Sequence, residues 1–195
     1  MATVNDIYAF LNDLAPVRYQ MDFDNAGFLV GDGRAAVEHV LLALDITDDV
    51  IAEAAALRAQ LIVSHHPLIF TPLRHATSDD LTGRKVLALA RHGIAAVCMH
   101  TNLDAAEGGV NEVLAGFFGM REMEAFAEGC GRVGSIDPIT VPELAKKAQQ
   151  ALASRCNRPL DGPAVQVKFA DTGKTVQRLA VISGAGGSLF EDALA

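Results

Sequence analysis

The sequence predicts an α/β protein of two lobes in which a mainly parallel sheet is flanked by helices. Short, continuously apolar runs are typical of buried strands, and the amphipathic or alanine-rich stretches between them are typical of helices. Strands that alternate with helices usually pair in parallel, with both faces of the sheet covered. With 195 residues, half of them hydrophobic, the chain can bury a substantial core.

The opening helix is predicted from its start signal and its apolar spacing. Thr3 and Asp6 match the pattern of a capping box, and Pro16 ends the helix. Between them, apolar residues recur at the spacing of one helix face. These residues are Ile7, Phe10, Leu11 and Leu14.

Three apolar runs follow as predicted strands, with a helix after each of the first two. Thr47 caps the first of these helices, and Asp48 and Asp49 lie in its first turn, where acidic side chains favour the helix dipole. The second helix begins near Arg84 and ends at Gly93, a residue type common just after a helix. The three predicted strands are Val40–Leu44, Leu61–Ser64 and Ile94–Met99.

A glycine-rich stretch, residues 129–134, predicts a hinge or a tight turn after a helix that opens at 108–109 and closes near Gly119. We place the lobe boundary at this stretch. The first lobe then spans residues 1–128 and the second spans residues 129–195.

The second lobe is predicted to begin with a helix. Thr140 and Glu143 form its capping box. Two strands, 165–169 and 179–182, are predicted after it. Ser188 and Glu191 signal one more helix start just before the last residue, so we expect this lobe to be truncated.

Charge and cysteine content limit the classes of function. The net charge of -8, without a block of Lys and Arg, argues against nucleic acid as the main partner but allows a small anionic substrate held by a metal. Cys98, Cys130 and Cys156 are odd in number and lack C-x-x-C spacing, so neither a disulfide framework nor a thiolate zinc site is indicated. A reducing cytoplasm is expected, with no membrane partner, because no targeting or transmembrane pattern occurs.

Histidine and aspartate residues follow two of the predicted strands. His65 and His66 come directly after one, and His100 and Asp104 follow the next. Ligands bind outside the carboxyl ends of strands in open α/β sheets, so we expect these side chains to converge on one spot. Imidazole suits Zn, Fe, Ni and similar ions, and a carboxylate such as Asp104 can bridge two ions. Tandem histidines also occur in loops that bind nothing, so a metal site and an ordinary loop both remain open here.

Two weaker signals have plainer explanations. The segment Asp24-Asn25-Ala26-Gly27 could bring a carboxylate and an amide to a site, but Asx and Gly together are more often turn chemistry. Cys98 precedes His100 by two residues, and we interpret it as a buried, inert thiol.

Three motifs together resemble one known family, the Nif-three-like (Ngg-one-interacting factor three-like) dinuclear metal proteins, many of which are called GTP cyclohydrolase 1 type 2 homologues. The resemblance covers nearly the whole chain, with the motifs in the same order. The motifs are His65-His66-Pro67-Leu68-Ile69-Phe70, His100-Thr101-Asn102-Leu103-Asp104 with Gly108-Gly109-Val110-Asn111, and Asp24-Asn25-x-Gly27-x-x-Val30-Gly31.

The resemblance implies a two-lobed α/β fold, a toroidal homohexamer and two divalent metal ions (Zn, Fe, Mn, Ni or Co) in the interior. It implies that His65, His66 and Asp104 are metal ligands, with Asp104 bridging, and that His100 lies beside the site. It also implies a further histidine and glutamate ligand, four residues apart. In the family these follow a second glycine-rich turn, residues 183–188 here, in a segment that this sequence does not contain.

Two classes of function are compatible with such a site. In the first, the ions activate a bound water for hydrolysis of a heterocycle or phosphoester, and His100 is the candidate general base. In the second, the metals are structural or regulatory, and the protein is a non-catalytic interaction module. A metal with open coordination positions fits both classes.

Overall fold

The structure, a computed structural model, describes residues 1–155 and 165–194 and confirms the α/β class. The described residues contain six α-helices and seven strands in two sheets. The helices are α1 (Val4–Leu14), α2 (Asp48–Ala56), α3 (Leu81–His92), α4 (Thr101–Ala105), α5 (Val110–Gly116) and α6 (Val141–Arg155). The strands are β1 (Gly27–Val30), β2 (Val40–Ala43), β3 (Leu61–Ser64), β4 (Ala95–Cys98), β5 (Arg121–Phe126), β6 (Gly131–Thr140) and β7 (Thr175–Ile182).

The chain divides into two compact units, and the first comprises residues 1–107. Its sheet has the order β1-β4-β3-β2. The three predicted strands, β2, β3 and β4, pair in parallel, and β1, which the sequence did not reveal, pairs antiparallel with β4. Because β2, β3 and β4 run the same way, their carboxyl ends lie at one edge of the sheet.

Helices cover the two faces of this sheet. Adjacent residues of β3 point to opposite faces, and both Leu61 and Ile62 are fully buried. Ile62 belongs to a core cluster with Ile51 of α2 and Leu89 of α3. Leu61 belongs to a second cluster with Val4 of α1. The strand that precedes the histidine pair is therefore fixed from both sides.

Caps confirm three predicted helix boundaries in this unit, but α3 begins at Leu81, after its cap Asp80, and not near Arg84 as predicted. Thr3 and Asp6 form the complete capping box of α1, and the Thr47 side chain accepts a hydrogen bond from the Val50 N–H at the start of α2. Gly93 ends α3 with a φ of 65°, a left-handed conformation that glycine adopts without a Cβ penalty.

Strand β2 departs from the prediction that all three strands are buried. It lies at the edge of the sheet, and the side chain of Leu42 is 75% exposed. Val40 and, just beyond the strand, Leu44 are exposed as well. An apolar run therefore predicted the strand correctly but did not predict its burial.

The second unit begins at Gly108, so the predicted boundary after residue 128 falls inside it. Its sheet is antiparallel, with the order β5-β6-β7, and the mainly parallel pairing that the sequence predicts is found in the first unit alone. The glycine-rich stretch, residues 129–134, forms the end of a tight connection and the start of β6. Gly129 thus belongs to the hairpin connection between β5 and β6, whereas Gly131 and Gly134 lie in β6 itself.

Helix α6 starts as predicted, because Thr140 and Glu143 exchange the hydrogen bonds of a capping box. The prediction of a strand at 165–169 was wrong, because residues 165–170 have no regular structure. The strand that pairs with β6 on this side is β7. Alternation alone does not make a strand when no partner lies beside it. Among the described helices, none combines the length and hydrophobicity that a membrane span requires.

Candidate metal centre

His65 and His66 are fixed by an extension of the parallel ladder beyond strand β3. The His65 N–H donates to the carbonyl of Ala43 at 3.2 Å, and the His66 N–H donates to the carbonyl of Leu44 at 2.9 Å. The Ser64 hydroxyl donates to the His66 carbonyl at 2.8 Å. Backbone contacts therefore determine where both histidines leave the sheet.

His100 leaves the sheet beside them, at the end of β4. The Met99 N–H donates to the Ser64 carbonyl at 2.9 Å, which joins the two strand ends. The chain then turns into α4, where the N–H groups of Leu103 and Asp104 donate to the His100 carbonyl. The short helix thus starts at His100 and carries Asp104 on its first turn.

The three imidazoles converge as the sequence predicted. One ring nitrogen each from His65, His66 and His100 lies within 4.8 Å of the other two. The ring centroids are 5.1 to 5.6 Å apart. The Asp104 Oδ1 lies 3.8 Å from the His65 Nε2, which brings an oxygen donor to the same spot. In the part of the chain that the structure describes, the three histidines form the one group of three or more His, Cys, Asp or Glu side chains that could hold a metal ion.

Each imidazole is held through its Nδ1 by an oxygen of the protein. Carbonyl and carboxylate oxygens carry no proton, so each Nδ1 must be the donor, and Nε2 is the atom left for a ligand. Metal-binding histidines typically have this arrangement, which fixes the tautomer and the ring orientation. The pairs are His65 with the Met99 carbonyl at 2.9 Å, His66 with Asp45 at 2.8 Å and His100 with Asp24 at 2.8 Å.

The two carboxylates lie in different environments. Asp45 follows β2 and is 55% exposed, whereas the Asp24 side chain has no exposed surface. Burial raises the pKa of the Asp24 carboxyl, but hydrogen bonds from Thr101, His100 and Asn25 outweigh it and hold that pKa below its usual value. Asp24 is therefore an ionised carboxylate that accepts hydrogen bonds.

Cys98 takes no part as a thiolate, in agreement with the sequence interpretation. Burial, followed by the nearby charge of Asp24, raises the pKa of its thiol to about 12. Its Sγ donates to the His65 carbonyl at 2.9 Å. Cys98 and Cys130 are buried, and Cys156 lies outside the described residues.

The family model for Duf34/NIF3 (NGG1p interacting factor 3) matches residues 2–195. The chain belongs to the Duf34/NIF3 family. The sequence resemblance to Nif-three-like proteins is thereby confirmed. Nearly the whole chain, including every residue of the centre, lies within the match.

Relatives of this NIF3-family chain are identical to it at about a third of the aligned positions. The "GTP cyclohydrolase 1 type 2 homolog" of Clostridium perfringens is 34% identical over 97% of this chain and 72% of its own length. The protein of the same name from Lactococcus lactis is 33% identical over 98% of this chain and 73% of its own length.

Solved structures support the fold. Staphylococcus aureus hypothetical protein SA1388 has a TM-score of 0.80 at 25% identity, covering 98% of this chain and 75% of that one. The Bacillus cereus protein related to NIF3 has a TM-score of 0.81 at 21% identity, covering 98% of this chain and 79% of that one. At 21% identity, the second likeness concerns the fold alone.

In this NIF3-family chain, the structure brings together His65, His66, His100 and Asp104, the four residues that the sequence singled out. Sequence reasoning missed the anchoring role of Asp45, although its position directly after a predicted strand was a usable signal. It also treated Asp24 as turn chemistry. Asp24 contacts His100 across 76 residues of sequence, and local patterns carry no information on such a contact.

Proposed function

We propose that this chain binds divalent metal ions through His65, His66 and His100 and works as a metal-dependent hydrolase. The observation that carries the proposal is the anchoring of all three Nδ1 atoms, which leaves three Nε2 atoms as ligands. Imidazole nitrogens suit Zn, Fe, Ni and Co, so these ions fit the donor set.

Asp104 is the proposed oxygen ligand. Its carboxylate lies near the His65 Nε2, and a carboxylate has two oxygens with which it can bridge two ions. The resemblance to dinuclear proteins supports a second ion. We therefore propose a centre for two divalent ions, with Asp104 between them.

The chemistry fits hydrolysis. A bound divalent ion lowers the pKa of a coordinated water toward neutrality and polarises a carbon or phosphorus centre. The protein's own contribution is to hold the imidazoles in one tautomer and to leave them partly accessible: the side chains of His65 and His66 are 23% and 46% exposed. A small anionic substrate could therefore reach the centre.

The relatives' name supplies the substrate to test first. Curated relatives are called "GTP cyclohydrolase 1 type 2 homolog", so we propose a nucleotide or another phosphoester as the substrate. The chain's net charge of -8 makes metal ions, and not surface cations, the natural source of attraction for such an anion.

His100 has two proposed roles that exclude each other. The sequence suggests a general base, whereas the ring nitrogen within 4.8 Å of the other two favours a ligand. The roles exclude each other because the Nε2 of a coordinating imidazole is occupied and cannot accept a proton. We favour the ligand role on the distance between the ring nitrogens.

The test measures metal content and turnover on one preparation. The chain, loaded with Zn, Mn or Co in turn, is analysed for bound metal and incubated with GTP and with a chromogenic phosphoester. We expect bound metal and metal-dependent release of product. Bound metal without any turnover would favour the non-catalytic interaction module, and no bound metal would reject the proposal.

We also propose that copies of the chain associate, as the homohexamer of the resembling family implies. The exposed apolar side chains of Val40, Leu42 and Leu44 along the edge strand β2 support self-association, because burying them against another copy removes apolar surface from water. Light scattering coupled to size-exclusion chromatography measures the mass. A monomer at micromolar concentration would reject this part of the proposal.

A further inference from the structure

Asp24 is a carboxylate near the centre that accepts hydrogen bonds through both of its oxygens. Its Oδ1 accepts the Nδ1–H of His100 at 2.8 Å and the backbone N–H of Asn25 at 2.7 Å. Its Oδ2 accepts the backbone N–H of Thr101 at 3.1 Å and the Thr101 hydroxyl. The side chain has no exposed surface, so four protein donors take the place of water.

The loop that carries Asp24 is fixed independently of His100. The Met21 N–H donates to the Thr101 hydroxyl oxygen at 3.0 Å, and the Ala26 N–H donates to the Gln20 side chain at 2.8 Å. The Asn25 side chain donates to the Ile69 carbonyl at 2.6 Å. The carboxylate therefore has a defined position whether or not a metal is bound.

We infer that Asp24 is a positioning residue for His100: its carboxylate keeps the imidazole proton on Nδ1 and thereby leaves Nε2 as a metal-binding atom. The significance of this role rests on the proposed metal-binding function, but the tautomer itself is a property of the metal-free protein. Asp24 acts through His100 and is not itself assigned as a ligand.

An amide in place of this carboxylate cannot accept hydrogen bonds from His100, Asn25 and Thr101 together. Asparagine offers one acceptor oxygen where Asp24 offers two, so its NH2 group must face either the His100 and Asn25 donors or the two Thr101 donors. In the first orientation, His100 must move its proton to Nε2 and loses the free nitrogen. In the second orientation, the backbone N–H of Thr101 loses its acceptor, and the loop loses its contact with α4.

The experiment reads the tautomer directly. The full chain is labelled with ¹⁵N-histidine, freed of metal, and studied by two-bond ¹H–¹⁵N spectra at a pH at which its histidines are neutral. We expect the His100 proton on Nδ1 in the unchanged chain. Asp24→Ala removes the acceptor and should transfer a large share of the proton to Nε2. Asp22→Asn is the matched control: it makes the same charge change in the same loop at an exposed position.

A zinc titration of the same variants separates this inference from the proposed function. Asp24→Asn should weaken zinc binding roughly 10- to 100-fold, the usual effect of losing a carboxylate behind a ligating histidine, and Asp22→Asn should leave it nearly unchanged. If Asp24→Ala does not fold, the proton position in the unchanged chain and the zinc affinity of Asp24→Asn decide: a proton on Nδ1 with a loss of roughly 10-fold or more supports the positioning role. A proton on Nε2, or an Asp24→Asn affinity equal to that of Asp22→Asn, overturns it.

A His100 proton found on Nε2 in the unchanged chain, or on Nδ1 in both the unchanged chain and Asp24→Ala, overturns the positioning role even if zinc binds. A chain that binds no zinc but shows the expected tautomers overturns the proposed function and leaves the positioning role intact.

Discussion

The Nδ1 of His66 lies 2.8 Å from the Oδ1 of Asp45, and the two residues follow neighbouring parallel strands of one sheet. The strand ladder itself brings them together, because residues that follow β2 and β3 meet at the same edge. The pair therefore depends on the correct pairing of β2 with β3, and it links the fold to the metal centre.

Asp45→Ala tests this link. Without its carboxylate, the His66 imidazole loses its fixed tautomer, so we expect zinc affinity to fall roughly 10-fold, near the low end for such positions because Asp45 is half-exposed and water can replace it. Isothermal titration measures the affinity. Asp49→Ala, at an exposed position nearby on α2, is the control, and equal affinities of the two variants would contradict the anchoring role.

His100→Ala distinguishes a ligand from a general base. If His100 is a ligand, as we expect, its removal lowers the metal content of the purified chain along with any turnover. Elemental analysis and a nucleotide assay give both values. Full metal content with turnover lowered roughly a hundredfold would instead support the general base that the sequence suggests.

Leu89→Ala tests the packing of α3 against the sheet. Leu89 is fully buried in the core against α2 and β3, so its truncation should lower the free energy of unfolding by about 2 to 5 kcal/mol. Leu81→Ala in the same helix is the control, because Leu81 is 58% exposed. Urea titrations measure the loss in free energy of unfolding for both variants. Similar losses would contradict the burial of Leu89 between α3 and the sheet.

Glu112 predicts a pH dependence of stability in the second unit. A hydrogen bond from the Gly108 N–H lowers the pKa of the Glu112 carboxyl. Partial burial raises this pKa, and the contact with Arg132 lowers it, so that the net shift is downward. A depressed folded-state pKa adds stability that is present above the unfolded-state pKa and is lost as pH falls through the folded-state value. Arg132 is buried, so removing the charge of its partner should be costly at neutral pH.

Glu112→Gln should therefore be less stable than the unchanged chain at pH 7, and this difference should shrink as the pH is lowered from about 5 to about 3. Urea titrations at several pH values measure it. Glu107→Gln, at an exposed position, should show little difference at any pH. A Glu112→Gln difference that stays constant with pH would contradict the ionised pair.

Local signals in the sequence predicted the parts of the fold that local physics determines. The caps at Thr3, Thr47 and Gly93 and the apolar runs of β3 and β4 are of this kind. Strand β1 was missed because its four residues pair only with β4, far along the chain. The exposure of β2 was missed because its edge position depends on the order of strands in the whole sheet.

The residues of the candidate site also fall into those that local signals predict and those that depend on distant contacts. His65, His66, His100 and Asp104 could be predicted because strand ends converge at one edge of a parallel sheet. Asp24 was raised as a carboxylate that could reach a site, but its contacts with His100 and Thr101 could not be predicted, because they join a loop to residues 76 and 77 positions away. In the second unit, β6 was missed because its glycines and a proline suggest turns, although antiparallel partners stabilise it on both sides.

We propose that a metal ion binds where the three imidazoles and Asp104 converge. The most direct measurement is the metal content, by elemental analysis, of the zinc-loaded chain and of His65→Ala, Asp104→Ala and His75→Ala, with circular dichroism to check folding. His75 is an exposed histidine and serves as the control. We expect bound zinc in the unchanged chain and in His75→Ala, and loss of most of it in folded His65→Ala and Asp104→Ala. Equal zinc content in all four proteins would contradict the claim.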